Sequence, residues 1–82
     1  MKLPRDLGGF DLAKLLSRFG YQITRQKGSH LRLTSNMRGF DHHVTIPNHD
    51  HLKLGTLNSV MSEVAGYLGI PRAELERDLF ER

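Results

Sequence analysis

At Gly20 the spacing of apolar residues changes from helical to extended, and beyond Pro47 it changes back. Few architectures satisfy both changes within 82 residues. Leu12, Leu15, Leu16 and Phe19 fall at i, i+3, i+4 and i+7 counted from Leu12, with Phe10 two residues ahead of them, while Asp11, Lys14, Ser17 and Arg18 lie elsewhere. That is an amphipathic helix. Gly8-Gly9 opens it loosely, Asp11 sits in the first turn where the helix dipole favours an anion, and Gly20 reads as its stop.

From Tyr21 the period is two. Tyr21 and Ile23 alternate with Gln22 and Thr24, and the β-branched and aromatic residues favour a strand. Gln26-Lys27-Gly28 reads as a turn. A second strand is expected over about Ser29–Thr34, with Leu31 and Leu33 on one face and His30 and Arg32 on the other. Ser35–Gly39 has loop composition. A third strand covers about His43–Ile46, with Val44 and Ile46 inward, and Pro47 ends it because it cannot donate to a ladder. After the polar segment Pro47–Gly55, the residues Leu57, Val60, Met61, Val64 and Leu68 mark a long helix, with Thr56 as N-cap and Gly69 as stop. Pro71 fits the first position of a short helix ending near Phe80, with Leu75 and Leu79 inward.

The expected class is α+β: one domain over residues 1–82, ordered α-β-β-β-α with a short C-terminal helix. Helices cover one face of a three-stranded antiparallel sheet and bury Leu15, Leu16, Ile23, Leu31, Leu33, Val44, Ile46, Val60 and Val64. The other face, carrying His30 and Arg32, stays open to water.

Composition narrows the chemistry. Cysteine is absent, which removes disulfides, thiolate zinc sites and thiol nucleophiles. No apolar run approaches the roughly 20 residues that span a bilayer, and Met1–Phe10 lacks the apolar core of a signal peptide, so a cytoplasmic location is expected. No nucleophile elbow, phosphate-binding loop or dinucleotide fingerprint is present. Between Leu12 and Phe40 stand six basic residues (Lys14, Arg18, Arg25, Lys27, Arg32, Arg38) and no acidic one. The last thirteen residues carry three basic and four acidic side chains. A basic block inside a folded region points to a polyanion-binding face; the alternative is a solvated surface with chance bias.

His30 is the leading candidate for chemistry. It follows Lys27-Gly28-Ser29 and alternates out of phase with the core leucines, so a buried structural role does not fit and the remaining alternative is an idle surface histidine. Against idleness stand Arg25, Lys27 and Arg32, together with the backbone donors of Gly28 and Ser29. An imidazole, with an ordinary pKa of about 6.5, takes a proton at neutral pH while cations hold a phosphate beside it. This combination suits RNA cleavage by the ribose 2′-hydroxyl, which requires a base and charge stabilisation. Lys53, before the second helix, and His49 are further candidates for contact with RNA. His42, His43, His49 and His51, with Asp41 and Asp50, raise a metal site; their spacing matches no established ligand pattern, and neither metal nor cofactor is assigned.

The ordered run Gly9, Leu12, Leu15-Leu16, Phe19-Gly20-Tyr21, Arg25-Gln26-Lys27-Gly28-Ser29-His30, then Val44-Thr45-Ile46-Pro47 with His49, then Gly55-Thr56-Leu57 with Val60-Met61 resembles the HicA (YcfA-like) family. The likeness spans about Leu3–Leu75. Its specificity lies in Gly-Ser-His, Pro-x-His and Gly-Thr-Leu occurring in that order. The resemblance implies a fold like the double-stranded-RNA-binding domain and a toxin that cleaves mRNA independently of the ribosome. It also implies an essential histidine at His30 and an antitoxin partner, HicB, that covers the site. The chain departs from the shortest members in running its second helix on through Glu63–Leu68, and in carrying Phe40-Asp41-His42-His43 before the third strand. Two other readings are a non-catalytic RNA-binding module on the same fold and a metal-dependent hydrolase built on the His49/His51 loop.

Overall fold

A computed structural model describes Leu3, Pro4 and residues 6–81. Met1, Lys2, Arg5 and Arg82 lie outside the described residues, and with them part of the Met1–Phe10 segment and both ends of the expected 1–82 domain. The elements run α1 (Gly9–Leu16), a 3₁₀ turn (Ser17–Phe19), β1 (Gln22–Lys27), β2 (His30–Ser35), β3 (His42–Pro47), α2 (Leu54–Leu68) and α3 (Arg72–Phe80). The strands form one antiparallel sheet in the order β1-β2-β3. α1 lies against β1 and β3, while α2 packs on β3 and carries α3 on its flank. The expected α+β architecture, with helices against one face of a three-stranded antiparallel sheet, is the observed one.

The core lies between sheet and helices. Leu31, Leu33, Val44 and Ile46 from the sheet meet Leu12 and Leu16 of α1 and Leu57, Val60, Met61 and Val64 of α2, all buried. Leu75 and Leu79 close it from α3. Two glycines permit the tightest approach. A Cβ on Gly9 would stand 2.3 Å from the Pro47 carbonyl oxygen, and one on Gly8 would stand 2.9 Å from that of Asp50. The Gly9 N–H donates to the His49 carbonyl at 3.0 Å, and the Gly8 N–H donates to the Asp11 carboxylate at 3.0 Å. The start of α1 is thereby locked onto the end of β3.

Several boundaries differ from the sequence reading, each for a local reason. Ile23 is not core: it is 42% exposed on the edge strand, where it lines a groove beside α1 that is open to water. Leu15 is only half-buried. The segment Ser17–Phe19 tightens into a 3₁₀ turn before Gly20, whose φ of 82° lets the chain leave the helix. α2 begins at Leu54, and its cap is the backbone of Lys53, whose carbonyl accepts the Leu57 N–H at 3.0 Å. Thr56 therefore sits inside the first turn and caps nothing. Pro71 precedes α3 as its cap residue, its carbonyl taking the Leu75 N–H at 3.2 Å. Ser35 ends β2 as a buried residue, its hydroxyl donating to the Phe19 carbonyl at 2.7 Å. The hairpin turn is Gly28-Ser29, with Lys27 in the strand opposite His30. Gly28 has φ 57° and Ser29 does not have positive φ, the glycine-first pattern of a type II′ turn.

Candidate active site

The open face of the sheet is set by pairing. On β2 the outward residues are His30, Arg32 and Thr34, alternating with buried Leu31, Leu33 and Ser35. On β3 they are His43, Thr45 and Pro47. β1 reaches the same face through a bulge: Ile23 pairs with Leu33, but Arg25, not Thr24, pairs with Arg32. The one extra residue shifts the phase, so Arg25 stands opposite Arg32 and Lys27 opposite His30.

These residues enclose a hollow of about 210 Å³ lined by Arg25, Lys27, His30, Arg32 and Thr45. Arg32 is half-buried and the other four are exposed. Three cations thus surround one imidazole with no carboxylate among them, and the sole ion pair among the described residues, Arg72–Glu76 at 3.2 Å, lies on α3. Such a hollow suits an anion held against a proton acceptor.

Of the residues expected at the site, His30, Arg25, Lys27 and Arg32 come together. Gly28 and Ser29 form the turn joining their strands. His49 follows β3 in a segment tied to that turn, since the Asn48 N–H donates to the Ser29 carbonyl at 2.6 Å. Lys53 is exposed at the start of α2 and is not part of the hollow. Nor does the whole basic block share the face. Arg18 donates to the Asp78 carbonyl of α3 at 2.5 Å, Lys14 lines a groove beside α1, and Arg38 lies in the β2–β3 loop near Gly69. Thr45 was missed, although its place between inward Val44 and Ile46 was signal enough.

The histidines considered for metal separate. The Tyr21 hydroxyl and His42 Nδ1 lie 2.7 Å apart, and the His42 ring stacks on Tyr67 with centroids 4.7 Å apart. Burial, helped by Tyr67 and Glu63, pushes the Tyr21 hydroxyl well above the usual tyrosine range, so it keeps its proton. His43 points to the open face, its Nδ1 2.8 Å from the Thr34 hydroxyl. His49 and His51 are exposed in the loop before α2. Among the described residues no three His, Asp or Glu side chains converge as metal ligands would.

The family model described as "HicA toxin of bacterial toxin-antitoxin" matches residues 9–66, from the first residue of α1 into the last turn of α2. The match contains every residue of the hollow and leaves α3 outside it. No curated protein and no solved structure matches the chain.

Proposed function

Because the chain belongs to the HicA family of toxin–antitoxin toxins, we propose that it is an endoribonuclease that cuts single-stranded mRNA in the His30 hollow. The observation that carries the reading is the enclosure of one imidazole by Arg25, Lys27 and Arg32 on a solvent-open face. His30 is the general base: it takes the proton of a ribose 2′-hydroxyl as that oxygen bonds to the adjacent phosphorus. The three cations, with Ser29 and the backbone N–H groups of the Gly28-Ser29 turn, hold the phosphate and stabilise charge on its oxygens. The bond from phosphorus to the 5′-oxygen then breaks, and that oxygen gains a proton for which His49, beside the turn, is the proposed source. The products are a 2′,3′-cyclic phosphate and a 5′-hydroxyl. The sequence of steps uses no metal or cofactor. His49 and Lys53, outside the hollow, extend the grip on RNA.

The antitoxin partner expected of the family is proposed to be of the HicB type. It covers the His30 face and sets acidic side chains against Arg25, Lys27 and Arg32, which carry no ion pair among the described residues. A complex that leaves His30 open to solvent would contradict inhibition by occlusion. The whole chain, 1–82, is taken to act as one domain. No helix among the described residues is long and apolar enough to cross a membrane, and the proposed place of action is the cytoplasm, where mRNA is.

The test is cleavage of a defined RNA with a chelator present. His30→Ala is expected to lower the rate by about 10²–10⁴ while RNA binding persists. RNA with a 2′-deoxy sugar at the cleaved position is expected to survive. Normal cutting of that RNA, or arrest by the chelator, would overturn the role given to His30. A His30→Ala protein that keeps its full effect in cells would favour a non-catalytic RNA-binding module.

A further inference from the structure

On the same open face, beside the cationic hollow, lies a second hollow of about 240 Å³ lined by Gly20, Gln22, Thr24, Thr34, Asn36 and Asp41. Its chemistry differs from that of the first. No lysine or arginine lines it and Asp41 contributes a carboxylate, so it repels a phosphate instead of holding one. What it offers is paired donors and acceptors: the amides of Gln22 and Asn36 and the hydroxyls of Thr24 and Thr34. Arg32 and Thr34 are two residues apart on one face of β2, which is about 7 Å along the strand. A nucleotide whose phosphate sits among the cations therefore has a neighbour over the second hollow.

The walls of this hollow are fixed. The Thr24 and Thr34 hydroxyls lie 2.8 Å apart, and Thr34 in turn lies 2.8 Å from His43 Nδ1, which holds that ring on the open face. The loop that carries Asn36 and Asp41 is exposed but anchored from below. The Tyr67 hydroxyl accepts the Arg38 N–H at 2.9 Å and donates to the Phe40 carbonyl at 2.6 Å. The Gly39 N–H closes the loop on the Asn36 carbonyl at 2.9 Å. Pre-ordered polar groups beside an available ring are what reading an unstacked base requires.

We propose that this hollow is a base-recognition subsite for the nucleotide next to the cleaved phosphate. Asp41 accepts N–H groups from the Watson–Crick edge of the base, and His43 offers its ring for stacking. Guanine is the favoured base, because it presents two adjacent N–H donors that match a carboxylate with parallel bonds. Adenine and cytosine present one amino donor beside an acceptor, and uracil presents one N–H between two carbonyls. The inference rests on the RNA-cleaving reading of the His30 hollow.

The experiment measures binding of uridine oligonucleotides carrying one central guanine, adenine, cytosine or uracil to the His30→Ala protein, with cleavage by the wild type followed in parallel. The guanine oligonucleotide is expected to bind at least about fivefold more tightly than the others, and Asp41→Asn to abolish that ratio. The ratio is the readout, since neutralising a carboxylate raises affinity for every RNA. Thr34→Val, which frees His43, is expected to weaken all four alike. Equal binding of the four bases, or a guanine ratio that survives in Asp41→Asn, overturns the subsite even if the wild type cleaves RNA. Guanine preference without wild-type cleavage overturns the enzymatic reading and keeps the subsite; no binding and no cleavage overturns both.

Discussion

Arg25→Thr is expected to strengthen the fold and weaken the grip on RNA. Arg25 stands directly opposite Arg32, Lys27 directly opposite His30, and no carboxylate shares their hollow. Like charges facing each other across strands cost about 0.2–1 kcal/mol. Threonine removes the repulsion and suits an edge strand, so a gain of about 0.5 kcal/mol is expected, raising the midpoint of thermal unfolding by about 2–4 °C in a domain of this size. The gain should shrink as salt screens the pair. RNA binding moves the other way. Three cations on single-stranded RNA give a log–log salt slope of about −2.1, or about 18-fold lost affinity from 50 to 200 mM salt; two cations give about −1.4 and about sevenfold. Calorimetry at low and high salt reads the first effect, and anisotropy with labelled RNA on the His30→Ala background reads the second. Arg18→Thr is the control, because Arg18 is engaged with α3 and lies outside the hollow. An unchanged slope in Arg25→Thr, or an equal change in Arg18→Thr, would refute the assignment of the binding face. Destabilisation by Arg25→Thr would refute the repulsion.

Gly9→Ala is expected to cost about 1–3 kcal/mol, because its Cβ would press on the Pro47 carbonyl at the end of β3. Gly66→Ala, which opens onto free space on an exposed face of α2, is expected to gain up to about 1 kcal/mol; urea midpoints moving in the same direction would refute the contrast. Tyr21→Phe removes the hydrogen bond to His42 and should cost about 1 kcal/mol at neutral pH. The folded Tyr21 pKa is raised above the ordinary value of about 10, so the unfolded chain loses this proton first. The Tyr21 contribution is then intact below about pH 10 and lost above it by up to about 1.4 kcal/mol per pH unit. The gap between wild type and Tyr21→Phe should close in alkali; a gap constant to about pH 11 would sink the argument.

Much of this architecture is legible because the spacing of apolar residues carries most of the information. The stripe through Leu12 and Leu16, the alternation of Leu31 and Leu33 with His30 and Arg32, and the stripe from Leu57 to Leu68 each bury one face and leave the other to water. Boundaries were less legible where backbone groups do what a side chain could have done. Thr56 has the chemistry of a cap, yet the Lys53 carbonyl already accepts the first helical bond, so α2 starts three residues earlier. The anchoring of the β2–β3 loop was not legible at all. Tyr67 stands outside the stripe named for α2, and only the fold brings its hydroxyl to Arg38 and Phe40.

The candidate site turned on a feature that periodicity does not encode. Residue types alone single out His30 and its cations, but strict alternation from Tyr21 and Ile23 would carry Arg25 and Lys27 to the covered face. Two unpaired cations pressed toward a core of leucines cost far more than one irregular residue in an edge strand. The extra residue at Thr24 resolves the conflict, and its hydroxyl stays bonded to Thr34 across the bulge. The conflict is therefore itself a signal. Where a strand's apolar phase would bury successive cations with no carboxylate to meet them, a bulge is the inexpensive escape, and the residues after it belong to the opposite face. Here that shift assembles the cationic hollow. Ile23 is the last inward residue before the phase changes, and it lines the open groove beside α1. The clustered cations are thus the result of one inserted residue, whereas the exposure of Ile23, which still pairs with Leu33, comes from its place on the edge strand.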